Sequence, residues 1–213
     1  MQLKPITAII VLLLVVASLL VSGCTVNTSN QTPSASATPS ATATPSAQTE
    51  TTTFTRKRGY SIAYLRAWSR DVNRSAAPSA GPSIDVYFYP NPNNAIDGLN
   101  VVTQKLDART GQTLQGLTDY SLNGFSAGVQ DYKLLSYGST NAGGEPANKV
   151  VIQATVPQKI SENSTQKAPI KLMQILTIHN GTGYVIGYKT IQDDYDKYVA
   201  QAEQAMNSFK FTS

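Results

Sequence analysis

His and Cys, two residue types common in catalytic and metal sites, are scarce in this 213-residue chain. The chain has a single His, at position 179, and a single Cys, at position 24. A catalytic His needs a nucleophile and an orienting acid held beside it, and no Gly-x-Ser-x-Gly motif accompanies His179. We therefore predict a protein that is not an enzyme and binds no cofactor, with His179 as a solvated hairpin residue. A hydrolase whose site is assembled from distant residues is the less favoured alternative.

The densest acidic cluster consists of Asp193, Asp194 and Asp196, at the start of a predicted helix. Carboxylates bind hard cations such as calcium, and on helical spacing Asp193 and Asp196 share a face while Asp194 points elsewhere. Two carboxylates leave such a site short of ligands. Anions at a helix N-terminus also stabilise the helix dipole and cap free N–H groups. The capping role is the prediction, and Asp193 and Asp196 are only weak candidates for a metal.

The net charge argues against a nucleic-acid partner. Seventeen Lys and Arg against 13 Asp and Glu leave +4, which is too mild and too scattered for that class. The basic residues are densest between positions 56 and 74. They either attract an anionic surface or protect a solvated strand edge, and we favour the edge.

The N-terminus has the features of an export signal. Lys4 precedes an apolar run over residues 6–21, and small residues follow it. The segment Val21-Ser22-Gly23-Cys24 resembles the lipobox of prokaryotic lipoproteins. That resemblance implies removal of residues 1–23 as a signal peptide and a lipid on the sulfur of Cys24. An uncleaved anchor, or an ordinary signal in which Cys24 is incidental, are the alternatives.

Residues 24–53 predict a disordered tether that carries the lipid at its first residue. Of the 29 residues after Cys24, 23 are Ser, Thr, Ala or Pro, and all 17 aromatic residues of the chain lie at or beyond Phe54. Such a segment cannot bury enough apolar surface to fold. Five Asn-x-Ser/Thr sequons are acceptors in a host that N-glycosylates, and they fall at Asn27, Asn30, Asn73, Asn163 and Asn180.

Residues 54–213 are enough for one well-packed core. Alternating apolar residues predict strands over 60–64, 84–88, 100–105, 132–137, 148–156, 170–178 and 184–189. Thr113 is a predicted N-cap for a helix over 114–125, and a five-turn apolar stripe predicts a second helix over 191–209. Asn180-Gly181 is the strongest hairpin signal. Strands interrupted by two helices predict an α+β sandwich.

Three segments of this region resemble those of PsbP-like domains: Gly59-Tyr60-Ser61-Ile62-Ala63-Tyr64 with Trp68, Gly143-Gly144-Glu145-Pro146-Ala147, and Ser208-Phe209-Lys210-Phe211. The resemblance covers about residues 54–212 and implies an antiparallel sheet sandwiched with helices, the α/β/α arrangement of that family. Leu65 departs from the pattern, because the family has Pro there. Plant and cyanobacterial members associate with photosystem II, but nothing in this sequence implies photosynthesis.

The sequence therefore predicts a lipoprotein on the outer face of the cytoplasmic membrane. We expect a monomeric, non-catalytic binding or accessory module whose partner is an unidentified envelope protein or small ligand. A structural envelope-interaction protein that recognises no small ligand is the alternative. A pocket between sheet and helix is the natural binding site, although core packing also explains the aromatic residues at these spacings: Tyr60, Tyr64, Trp68, Tyr184 and Tyr188.

Overall fold

The computed structural model of the chain describes residues 50–57, 59–72, 82–90, 97–108, 110–161 and 164–212. Two α-helices and ten strands occur in these ranges. The helices are α1 (Leu114–Ala127) and α2 (Tyr195–Asn207), and a 3-10 turn (Gln192–Asp194) leads into α2. The strands are β1 (Thr51–Thr55), β2 (Tyr60–Leu65), β3 (Ser69–Asp71), β4 (Ser83–Tyr89), β5 (Gly98–Lys105), β6 (Gln130–Ala142), β7 (Glu145–Ser161), β8 (Ser164–His179), β9 (Thr182–Ile191) and β10 (Lys210–Phe211).

The strands form two antiparallel sheets. Seven strands make the large sheet in the order β3-β4-β5-β9-β8-β7-β6, and three make the small sheet in the order β1-β2-β10. The β8–β9 hairpin turns at Asn180 and Gly181, whose φ angles of 48° and 72° are those of a tight hairpin turn. The hairpin predicted from Asn-Gly is confirmed.

Both faces of the large sheet are covered. On one face α1 inserts Leu117, which is fully buried against Val150, Ile152 and Leu176. The other face packs against α2 and the small sheet, and the main core lies there. Neighbouring residues on a strand point to opposite faces, so Ile175 and Leu176 of β8 belong to the cores on the two opposite faces of the sheet. The antiparallel sheet with helices is confirmed, and the small sheet beside α2 is an addition to the predicted α/β/α layers.

Helix α1 begins where the sequence predicted. The side chain of Thr113 accepts a hydrogen bond from the N–H of Gly116 at 3.1 Å, which satisfies one of the free N–H groups of the first turn. Helix α2 is shorter than predicted because the first turn of the apolar stripe is 3-10 rather than α-helical. Neither helix, within the residues described, is long and apolar enough to cross a membrane.

Candidate functional site

The five aromatic residues predicted to line a pocket are core residues, at most 8% exposed: Tyr60, Tyr64, Trp68, Tyr184 and Tyr188. The rings of Tyr60 and Phe209 stack with 5.1 Å between centroids, and Tyr184 meets Tyr60 edge-on at 6.1 Å. Tyr188 contacts Tyr195 instead, at 5.7 Å. These contacts assign the rings to packing between the two sheets and α2, and their role in ligand binding stays a prediction.

A small cavity does reach one of these rings. It lies between β2 and α2, has a volume of about 70 Å³, and is lined by Tyr64, Gln201 and Ser208 among others. The side-chain oxygen Oε1 of Gln201 is buried there without a hydrogen-bond partner among the described residues. Pockets for drug-sized ligands measure roughly 300–1,000 Å³. This cavity therefore suits a few water molecules rather than an organic ligand.

A polar cluster missed by the sequence analysis surrounds Asp85 on β4. Its carboxylate accepts a hydrogen bond from Thr103 Oγ1 at 3.3 Å and faces the guanidinium of Arg56 at 3.8 Å. Only 12% of the Asp85 side chain is exposed. Burial raises the pKa of Asp85 above its ordinary value, although Arg56 and Thr103 oppose the shift. The hydroxyl of Tyr60 is buried without a partner among the described residues, and burial raises the pKa of Tyr60 as well, with the charge of Asp85 adding to the effect.

Replacing Asp85 with Asn is expected to stabilise the domain at neutral pH. The folded state holds the proton of Asp85 more tightly than the unfolded chain does, so the stability of the wild type falls as pH rises through this group's titration. The melting temperature of Asp85→Asn should exceed that of the wild type by a few degrees at neutral pH. The gain should shrink as pH falls toward 3.8, the ordinary pKa. Asp119→Asn, at an exposed position of α1, is the control and should show no such gain.

His179 is not the solvated residue that the sequence predicted. Its Nδ1 lies 2.8 Å from Oε1 of Glu145, and its ring stacks on Phe211 with 4.0 Å between centroids. The register of β7 and β8 explains the contact, because Ala147 pairs with Thr177 and continuing this register by two residues brings Glu145 opposite His179. The only His of the chain thus joins two hairpins to the C-terminal strand.

The groove beside α2 brings together two of the predicted metal candidates. Asp193 and Asp196 line a space of about 320 Å³ together with Lys171, while Asp194 is not among its lining residues. The ammonium of Lys171 opposes a bound cation, and within the described residues no group of three His, Cys, Asp or Glu side chains could hold a metal ion. The capping prediction needs a correction, because Asp194 is the N-cap of α2 and makes no side-chain capping hydrogen bond. The three aspartates instead share a position at the N-terminus of α2, where the helix dipole favours negative charge.

Several predicted sites lie outside the described residues. They are Cys24, Asn27, Asn30, Asn73 and Asn163. Asn180 is described: it is exposed at the tip of the β8–β9 hairpin, and its side-chain amide lies 3.0 Å from Nε2 of His179. The sequon there remains a prediction.

Comparison with solved structures places this arrangement among known folds. The cyanobacterial PsbP protein CyanoP of Synechocystis matches with a TM-score of 0.52 and 17% identity, over 82% of this chain and 99% of that protein. The Ran-binding protein Mog1p of Saccharomyces cerevisiae gives 0.46 and 8%, over 75% of this chain and 94% of Mog1p. A Pseudomonas aeruginosa protein of unknown function gives 0.44 and 13%, over 75% and 96%. The sequence matches no protein-family model, and a comparison with curated proteins finds no match.

The likeness to CyanoP defines the fold of the described domain, which is that of PsbP-like proteins. The fold implied by the three sequence segments is therefore confirmed. Fold alone does not determine function, since one fold serves many activities.

Proposed function

We propose that the protein is a lipid-anchored, extracytoplasmic module with a binding or accessory role and no catalytic activity. The observation that carries the proposal is the lipobox-like segment that ends at Cys24, and a fold like that of a cyanobacterial PsbP protein, over 99% of that protein, agrees with an accessory role. The leader over residues 1–23 and the lipobox-like segment before Cys24 support the anchor. The tether that begins at Cys24 and leads to β1 would hold the domain at the outer face of the cytoplasmic membrane.

The surroundings of His179 support the absence of catalysis. Its described contacts are the carboxylate of Glu145, the amide of Asn180 and the ring of Phe211, and none of these groups is a hydroxyl or a thiol. Acyl-transfer chemistry requires a Ser, Thr or Cys beside one ring nitrogen, and the two nitrogens of His179 contact Glu145 and Asn180 instead. The arrangement is that of a structural hydrogen bond and ring stack where two hairpins meet the C-terminal strand.

The anchor is tested by changing the one cysteine. Cys24→Ser is expected to block lipid attachment and to move the protein from the membrane fraction to the soluble fraction or leave it as an unprocessed precursor. Intact mass spectrometry of the wild type from its host should give residues 24–213 plus the mass of a lipid. Ser22→Thr, which keeps the thiol, is the matched control and should still be lipidated. An unmodified wild-type precursor of full length contradicts the proposal.

A further inference from the structure

The described sheet edges differ sharply in how they are protected. Exposed edges recruit further strands, and natural proteins protect them with short strands, charges and bulges. β3 has three residues, including Arg70 and Asp71, β10 has two, and β1 has five. β6 closes the large sheet with 13 residues and pairs only with β7 among the described strands. Among the described strands, β6 is the longest one at a sheet edge.

The two halves of β6 are unlike. Its first half contains two irregularities in the pairing with β7, between Gln130 and Lys133 and between Leu134 and Ser136, and both charged residues of the strand. Its second half, residues 136–142, pairs with β7 without interruption. That half has no charged residue and no Pro, and most of it is exposed. The devices that discourage strand addition are therefore confined to the first half.

The same strand exposes apolar side chains. Leu134, Leu135 and Tyr137 are 41%, 40% and 45% exposed. They are three of the four large exposed apolar residues in the described ranges, and Val72 is the fourth. Leu134 and Tyr137 pair with Ile152 and Val150, whose side chains pack against α1, and the hydroxyl of Tyr137 donates a hydrogen bond to Gln115 Oε1 at 3.0 Å. Leu135 instead lines the groove of Asp193 and Asp196. The concentration of large exposed apolar residues on one edge strand is the second observation that points to a partner there.

We propose that two copies of the chain pair through β6, antiparallel about a two-fold axis at Ser139. The pairing joins the two seven-stranded sheets into one continuous sheet. This differs from the monomer predicted from the sequence. A second copy fits this edge because a two-fold interface places the same patch on both partners, and the regular segment, residues 136–142, is centred on Ser139.

The register follows from geometry and charge. Directly opposite residues in an antiparallel pair share a face of the sheet. A two-fold axis perpendicular to the sheet must therefore place one residue of β6 opposite its own copy. With Ser139 opposite itself, Ser136 faces Ala142 and Tyr137 faces Asn141, all uncharged. Centring the axis on Gly138 would place Asn141 and Ala142 opposite the irregular half of the other copy. Centring it on Thr140 would place Ser136 and Tyr137 beyond the end of the other β6 strand.

The helices leave room for this pairing. α1 contacts β7 and β8 on one face of the sheet, and α2 contacts β2 and β9 on the other side of the sandwich. Two α1 helices would lie about four strand spacings apart, roughly 19 Å at 4.7–4.9 Å per strand. That exceeds the roughly 10–12 Å diameter of a helix with its side chains. The exposed side chains of Tyr137 and Leu134 would lie beside the new pair of strands.

The first test is the mass of the full chain in detergent by sedimentation equilibrium. The wild type is expected to show a concentration-dependent dimer. Ser139→Lys places two like charges opposite each other at the axis and should weaken the dimer by at least about tenfold. Ser136→Lys, on the same exposed strand, faces Ala142 of the other copy and should weaken it far less. A monomeric wild type overturns the proposal, and so does a dimer insensitive to Ser139→Lys, because association through the apolar leader would behave in that way.

The second test reports the register. In a Cys24→Ser background, Ser139→Cys puts two thiols at directly opposed positions, where Cα atoms about 4.5–5.5 Å apart allow a disulfide. Diamide should cross-link this variant rapidly. Ser136→Cys is the matched control, since its two copies would lie about 20 Å apart at 3.4 Å per residue. Equal cross-linking of the two variants contradicts the proposed axis, as does the absence of cross-linking at position 139.

Discussion

Replacing Ala202 with Asp is expected to destabilise the domain by about 4 kcal/mol or more. Ala202 is fully buried in the main core, where α2 packs against the sheets. An unpaired carboxylate in such a place costs several kcal/mol, whether it remains charged or takes up a proton. Domains of this size are typically stable by about 5–15 kcal/mol. The variant should therefore lose a large part of its stability and unfold at a much lower urea concentration than the wild type.

Ala200→Asp is the matched control in the same helix. Ala200 is exposed, so the same change costs only the difference in helix propensity, about 0.7 kcal/mol. Urea denaturation followed by the fluorescence of Trp68 measures both, because this residue is the only Trp of the chain and is 6% exposed in the core. Similar losses at positions 200 and 202 would show that the face of α2 that packs on the sheets is assigned incorrectly.

Gly143→Ala is expected to cost about 3 kcal/mol and to loosen the C-terminal strand. Gly143 has a φ of 61°, and a Cβ atom there would lie 2.6 Å from Cδ2 of Phe211. A left-handed backbone costs a non-Gly residue about 1–2 kcal/mol, and displacement of the Phe211 ring adds to this. The ring also supports His179, so the disturbance spreads to the β8–β9 hairpin.

Gly144→Ala separates the two contributions. Gly144 also has a positive φ, of 92°, but a Cβ there meets nothing within 4 Å. Its replacement should cost only the backbone strain, about 1–2 kcal/mol. Adding Phe211→Ala to each Gly variant completes the test by a double-mutant cycle. Removal of the ring should reduce the cost of Gly143→Ala and leave the cost of Gly144→Ala unchanged; additive losses at position 143 would contradict the steric explanation.

Local signals in the sequence were sufficient for the turns and caps. Thr113 caps α1 and Asn180-Gly181 closes a hairpin because each feature depends on neighbouring residues alone. The apolar stripe of α2 was predicted only in part. The prediction placed Tyr198 and Val199 in the stripe and left out Ala205, whereas Ala205 is buried and Tyr198 and Val199 are half-buried. The close approach of α2 to β2, where the N–H of Ala63 donates to Ser208 Oγ at 2.8 Å, decides which small residues are covered.

The composition of the predicted tether gave no indication of the first strand. The predicted tether ends at residue 53, yet β1 begins at Thr51 and pairs with β2 from Thr51 opposite Leu65 to Thr55 opposite Ser61. Thr is common in low-complexity linkers and also favours strands, because its branched side chain fits a pleated sheet. Only the pairing with β2 shows that these Thr residues form a strand rather than part of a linker. The first strand of the domain therefore begins before Phe54, the first aromatic residue.

The candidate site residues depended on information that a single sequence lacks. The contact between His179 and Glu145 requires the register of β7 and β8, and the cluster around Asp85 requires Arg56 from the other sheet. The outer ends of β7 and β8 extend beyond the predicted ranges of 148–156 and 170–178 because their polar residues show no apolar alternation. Sequence patterns identify buried faces, and these sites lie where separate elements meet.

The small sheet can close only when the two ends of the domain meet. β2 lies between β1 and β10, and the N–H of Ala63 reaches Ser208 across 145 positions of the chain. Before Lys210 and Phe211 pair with β2, this strand has one open edge and the rings of Tyr60 and Phe209 cannot stack. Contacts over such separations form slowly, so this edge closes late in folding. Until it closes, β2 can pair with a strand of another chain, and folding of the small sheet competes with aggregation.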